Sequence, residues 1–165
     1  MKKLPALFSV VVLSVFLFPS YLRAQHLPGS VPLYRYYNSQ VGDHYYTTDY
    51  NRLGAGAYGW VYETVEAYVF ASAEAGTVPL YQYWNTQVGD HFYTIDFNTL
   101  GYGANGWVYE QIAGYVYAAA QTGAVPLYRY WNAQITDHFY TTDFSTLGYG
   151  RYGYVFENVE CYVSP

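Results

Sequence analysis

The sequence predicts an all-β protein made of three copies of one 47-residue unit, closed about a pseudo-threefold axis in the manner of a β-trefoil. Three observations lead there. VPLYRYYN at Val31, VPLYQYWN at Val78 and VPLYRYWN at Val125 recur at constant spacing, without insertion or deletion. Each is followed by a second shared block, VGDHYYTTD, VGDHFYTID or ITDHFYTTD, and by a third, YGWVYE, NGWVYE or YGYVFE. Within a unit, β-branched and aromatic residues lie between turn residues without helical spacing, which suits short strands.

Along the chain, Lys2 and Lys3 precede an apolar run from Leu4 to Phe18, the pattern of a secretory leader; residues 1–24 are expected to be removed, with Ala24 a suitable cleavage site. The run falls short of the ~20 residues that span a bilayer, so no membrane insertion is expected after removal. The expected location is secreted, extracellular or periplasmic. Residues 25–165 then form one domain with repeats at 31–77, 78–124 and 125–165.

In each unit the run Val31–Tyr37, an Asn-Ser-Gln-Val-Gly turn and His44–Thr48 read as a β-hairpin with a loop of about five residues. Asp49, Asp96 and Asp143 are placed to cap one short helical turn, which Gly54, Gly101 and Gly148 end. Trp60–Glu63 and Ala67–Phe70 read as two further strands, making about four per unit. A compact three-bladed propeller-like ring is the alternative arrangement, and an open solenoid a third, disfavoured because the end copies resemble the middle one.

Without the leader, four arginines face twelve carboxylates, a net charge of −8, and no basic stripe is present. Nucleic acid is therefore excluded as an expected partner. Cys161, the single cysteine, permits no internal disulfide; it replaces Ala67 and Gly114 of the other units, a small-residue position where a buried, inert thiol is expected.

The blocks PLYRYYN, GDHYYTTD and GWVYETVEAYVF resemble a tyrosine-rich repeat family of unknown biochemical function found in secreted microbial proteins, often appended to extracellular hydrolases. The resemblance spans the expected mature chain three times over. It implies a non-catalytic accessory module that holds a protein to a surface or polymer. The chain departs from it in having Gln82 where Arg35 and Arg129 stand in the other units, and it is expected to act without an attached catalytic domain. No repeated Gln-x-Trp links it to ricin-type lectins.

No catalytic constellation is legible. Asp43–His44, Asp90–His91 and Asp137–His138 are strand neighbours, whose side chains point to opposite faces, so neither pair member can serve the other within one copy, and no Gly-x-Ser-x-Gly is present. The histidines are expected to be tied to a backbone carbonyl or a tyrosine hydroxyl, or else to contact a ligand at a rim. A sharper alternative has His44, His91 and His138 meeting on the axis as a three-imidazole zinc site. No cofactor is expected.

Strand alternation puts Tyr34, Tyr36 and Asn38 on one face, assigned to the core, and Leu33, Arg35 and Tyr37 on the other. The second face, with Trp84 and Trp131 at the Tyr37 position, is the candidate ligand platform. Aromatic plates beside planar polar groups suit sugars. The candidate ligand-binding set is Arg35, Tyr37, Asp43 and His44 with Gln82, Trp84, Asp90, His91, Arg129, Trp131, Asp137 and His138; the expected partner is a glycan or cell-surface polymer. Loss of the Arg35 charge at Gln82 would make copy two weakest for an anionic ligand.

Overall fold

The computed structural model describes residues 26–165; the expected leader lies outside them. All-β architecture is observed. Unit one supplies β1 (Ser30–Asn38), β2 (Asp43–Thr47), a 3₁₀ turn (Tyr50–Arg52) and β3 (Val61–Phe70). Unit two supplies β4 (Thr77–Asn85), β5 (Asp90–Thr94), α1 (Phe97–Leu100) and β6 (Trp107–Tyr117). Unit three supplies β7 (Val125–Asn132), β8 (Asp137–Thr141), α2 (Phe144–Leu147), the two-residue β9 (Gly150–Arg151) and β10 (Tyr154–Val163).

Each unit contributes three main antiparallel strands with its first strand in the middle, as β2–β1–β3 shows; unit three adds the short β9 beside β10, and pairing of β6 with β3 and with β10 joins the units in one ten-stranded sheet. The expected two late strands are one. Thr64 and Val65, between the two stretches, favour extended backbone and carry no turn residue, and register shifts opposite Leu33/Tyr34 and Arg35/Tyr36 absorb the irregularity. The hairpin loop is four residues, 39–42, where about five were expected. Its geometry is set by Asn38: the side-chain oxygen accepts from the Gln40 N–H at 3.0 Å, and the backbone oxygen accepts from Gly42 N–H at 2.8 Å. Gly42 and Gly89 there have φ of 79° and 75°, and unit three forces Thr136 to φ 56°.

The caps form as expected. Asp49, Asp96 and Asp143 accept from the backbone N–H of Asn51, Asn98 and Ser145. Hydroxyl donors, Thr99 on Asp96 and Ser145 and Thr146 on Asp143, act with these backbone N–H groups to hold both carboxyls below the usual range.

Assignment of one strand face to the core and the other to a ligand needs correction, because both faces are covered. Tyr36, Tyr83 and Tyr130 are fully buried, each in an outer cluster of its own unit, donating to the carbonyls of Gly54, Gly101 and Gly148 at 2.9 Å. Leu33, Leu80 and Leu127, on the opposite face, enter a central core shared by all units. At its centre Tyr46, Tyr93 and Tyr140 meet edge to face, with centroids 5.4–5.5 Å apart. Each hydroxyl donates to a backbone carbonyl of a neighbouring unit and accepts a backbone N–H there, so three buried phenols satisfy one another's strands.

Small residues let the late strands approach. A Cβ on Gly114 would lie 2.6 Å from Val69 Cγ2. Cys161 at the corresponding place is buried, and burial pushes its thiol pKa up. Units one and three also join directly, Tyr68 and Ser164 exchanging backbone hydrogen bonds of 2.9 and 3.0 Å.

Candidate functional site

The aspartate–histidine neighbours do not pair within a unit; they pair between units. His44 donates its backbone N–H to Asp137 Oδ1 at 2.9 Å, and its Nδ1 lies 2.6 Å from Oδ2. His91 meets Asp43 in the same way at 3.0 and 2.6 Å, and His138 meets Asp90 at 2.9 and 2.5 Å. Opposite-face alternation makes this possible, since one strand can offer its aspartate to one neighbour while its histidine faces the other. The histidine partner is therefore a carboxylate of another copy, not the carbonyl or tyrosine hydroxyl expected.

All three carboxylates are fully buried, and they offer oxygens within 4.8 Å of one another. Burial, reinforced by the Asp137 charge, pushes the Asp43 pKa up to about 8, and burial pushes that of Asp90 up to about 6. Burial also lowers the His91 pKa to about 4. Both shifts favour a neutral Asp43–His91 pair sharing one proton. In unit three, Tyr154 replaces the tryptophan of the other copies and donates its hydroxyl to Asp137 Oδ2 at 2.5 Å.

The three-imidazole site is not assembled among the described residues, because the carboxylates converge and the imidazoles face outward. Each carboxylate already has both oxygens engaged by a histidine, so these aspartates join units. Asp43, Asp90 and Asp137 belong to the expected ligand-binding set; at 0% exposure they have no access to a ligand.

Outside each pair, the histidine Nε2 points to a glutamate of its own unit, at 3.6 Å from Glu63, 3.7 Å from Glu110 and 3.8 Å from Glu157. Tyr37, Trp84 and Trp131 lie against the rings of His44, His91 and His138 at 4.5–4.6 Å, bracing them. Arg35 and Arg129 are likewise held by two carboxylates each. Arg35 pairs with Glu63 at 2.7 Å and with Glu66; Arg129 pairs with Glu157 at 2.7 Å and Glu160 at 2.5 Å.

Unit two departs from this in a concerted way. Gln82 stands for the arginine, and Ala113 stands for Glu66 and Glu160. Gln82 is buried and gives its amide to Glu110 at 2.6 Å while accepting from Gln111 at 2.9 Å. The charge and its second counter-charge are absent together, which explains how Gln82 is tolerated.

Clefts open between units. The one between units two and three, about 260 Å³, is lined by Phe92, Leu100, Trp107, Arg129, His138 and Glu157. The corresponding one between units one and two is only about 70 Å³ and is lined by Tyr45, Arg52, Leu53, Trp60 and His91. Arg129 lies over the Phe92 ring at 4.9 Å and Arg35 over Phe139 at 4.8 Å. Between units one and two, a cation still covers the aromatic ring, but it is Arg52, over Tyr45 at 5.5 Å.

The structure thus brings Arg129 and His138 of the expected set into one cleft, with His91 in another. Sequence reasoning missed Trp60, Trp107, Arg52, Glu63, Glu110 and Glu157. Recurrence at the repeat spacing was the available signal for the tryptophans and glutamates, whereas Arg52, with Thr99 and Thr146 at its place in the other units, carried none; that a residue late in one unit faces a histidine of the next was not legible.

No curated protein and no solved structure matches the chain. One family model does, a domain of unknown function, DUF5648, over residues 32–164, and the chain belongs to that family.

Proposed function

We propose that this is a secreted, non-catalytic binding module that recognises carbohydrate or a cell-wall polymer multivalently. The observation that carries the reading is the cleft between units two and three. The half-buried Trp107 and Phe92 offer apolar faces for sugar C–H groups, and Arg129, His138 and Glu157 offer planar polar groups for hydroxyls. Repeating related clefts on one rigid body would raise avidity. No nucleophile joins the aspartate–histidine pairs, whose carboxylates are sealed from solvent, and this supports binding over catalysis.

For the architecture we propose closure about a pseudo-threefold axis. Cyclic contacts at Tyr46, Tyr93 and Tyr140 support it, and three main strands per unit, with only the two-residue β9 added in unit three, favour the three-bladed ring over the trefoil.

The test is binding of residues 25–165 to insoluble polysaccharides and a glycan array, compared with Trp107→Ala. Saturable, sugar-competed binding that weakens in the variant supports the reading; absence of any glycan binding at high protein concentration overturns it. A second reading, an adhesive protein that contacts other proteins, is favoured by exposed tyrosines at unit edges: Tyr58, Tyr102 and Tyr149 are 90%, 81% and 80% exposed.

A further inference from the structure

The cleft between units one and two differs from its counterparts at three places at once. Tyr45 stands where Phe92 and Phe139 stand, Arg52 where Thr99 and Thr146 stand, and Gln82 where Arg129 and Arg35 stand. Two consequences concern charge. Arg129 and Arg35 are each neutralised by two glutamates, whereas Arg52 makes no ion pair among the described residues and is exposed. With Ala113 removing a carboxylate, Arg52 and Glu110 balance in this cleft, while Arg35 and Arg129 are each outnumbered by two glutamates. A third observation points to a missing partner: the Tyr45 hydroxyl is buried and has no hydrogen-bond partner, the sole such side-chain atom among the described residues.

From these features we propose that the cleft between units one and two is a distinct subsite for a carboxylate-bearing sugar, a uronic acid residue of a polymer. The inference rests on the carbohydrate-binding reading and names the ligand class of one cleft. The sugar ring lies on Trp60, and its carboxylate takes the planar fork of Arg52. The Tyr45 hydroxyl supplies the donor that the other clefts lack. His91 is neutral here at pH 7, held so by burial with Arg52 adding to the effect, and can accept or donate to a sugar hydroxyl without changing the charge balance. This reverses the ranking drawn from sequence: the cleft between copies one and two is the one suited to an anion, because Arg35 and Arg129 are already held by glutamates.

The experiment is a titration of the ¹⁵N-labelled protein with D-glucuronate, D-glucose and acetate, following the Trp60 indole signal, in the parent and in Arg52→Thr and Tyr45→Phe. Both variants install a residue that the same position carries in units two and three, so folding is expected to survive, and the melting temperature checks it. Glucuronate is expected to bind about tenfold more tightly than glucose at this cleft, the scale of one charge-assisted hydrogen bond. Arg52→Thr should abolish that preference and Tyr45→Phe should weaken it. Equal binding of glucuronate and glucose, undiminished glucuronate binding in Arg52→Thr, or acetate binding as tightly as glucuronate overturns the proposal. Binding of neutral polysaccharide by Arg52→Thr through the other clefts would leave the general carbohydrate reading standing when this inference fails. Glucuronate binding at Trp60, with no binding of neutral glycans anywhere, would support the subsite and narrow the broader reading to acidic glycans.

Discussion

His44 of the first unit and Asp137 of the third share two hydrogen bonds, of 2.9 Å through the backbone and 2.6 Å through Nδ1, although 93 residues separate them. Removing the carboxylate strands a buried N–H and a buried ring nitrogen in another unit. Asp137→Ala should therefore lower the unfolding free energy by about 3 kcal/mol, the scale for breaking a buried pair. Asp137→Asn, which keeps an acceptor for the N–H, should cost less. Urea denaturation followed by tyrosine fluorescence measures both. An Ala variant within error of the parent would show that these pairs do not hold the units together.

The Asp43 carboxyl has its pKa raised on folding, from near 4 to about 8. A raised folded-state pKa stabilises fully below the unfolded value, and that contribution is lost as pH climbs through the folded value. His91, lowered to about 4, acts oppositely: its contribution is present above about 6.5 and lost as pH falls through about 4. With Asp90 at about 6 adding to the first effect, stability should decline from about pH 5 to pH 8. Asp43→Asn should flatten the upper part of that decline, above pH 6. Denaturation midpoints at half-unit pH intervals would reveal it, and parallel profiles for the two proteins would contradict the assignment.

Thr136 occupies left-handed backbone at φ 56° where the other units use glycine. A β-branched residue there is strained by ~1–3 kcal/mol. Its hydroxyl recovers part of this by donating to the Val88 carbonyl at 2.8 Å. Thr136→Gly should give a net gain of about 0.5 kcal/mol, relief of strain exceeding the lost hydrogen bond and the added chain entropy. A fall in melting temperature would mean that the Thr136–Val88 link between units outweighs the strain.

Gln82 and Ala113 replace the arginine and glutamate that the other units pair. Gln82→Arg with Ala113→Glu should rebuild that bracket, and the double variant should be more stable than the sum of the single variants predicts, by about 1–3 kcal/mol. Ala113→Glu alone should be the worst of the three, since it buries an unpaired carboxylate at a position 6% exposed. A double-mutant cycle by chemical denaturation tests this, and additivity would argue against co-replacement.

How much was legible in advance follows from what repeats encode. The 47-residue period, the hairpin, the aspartate caps and the β class all depend on residues within one unit, where Asn38, Asp49 and the alternating aromatics act on neighbours a few positions away. Those features the sequence by itself determined. Which unit meets which was decided only in the tertiary structure. An identical Asp-His pair in every copy says nothing about whose histidine meets whose aspartate, and a long-range contact leaves no periodic trace. The burial of Asp43, Asp90 and Asp137, the three-phenol core of Tyr46, Tyr93 and Tyr140, and the substitution of Arg52 for the missing arginine at Gln82 all arise from juxtaposing separate copies. The physical reason is that the strand face opposite the tyrosines cannot be assigned to core or solvent until a neighbouring unit covers it.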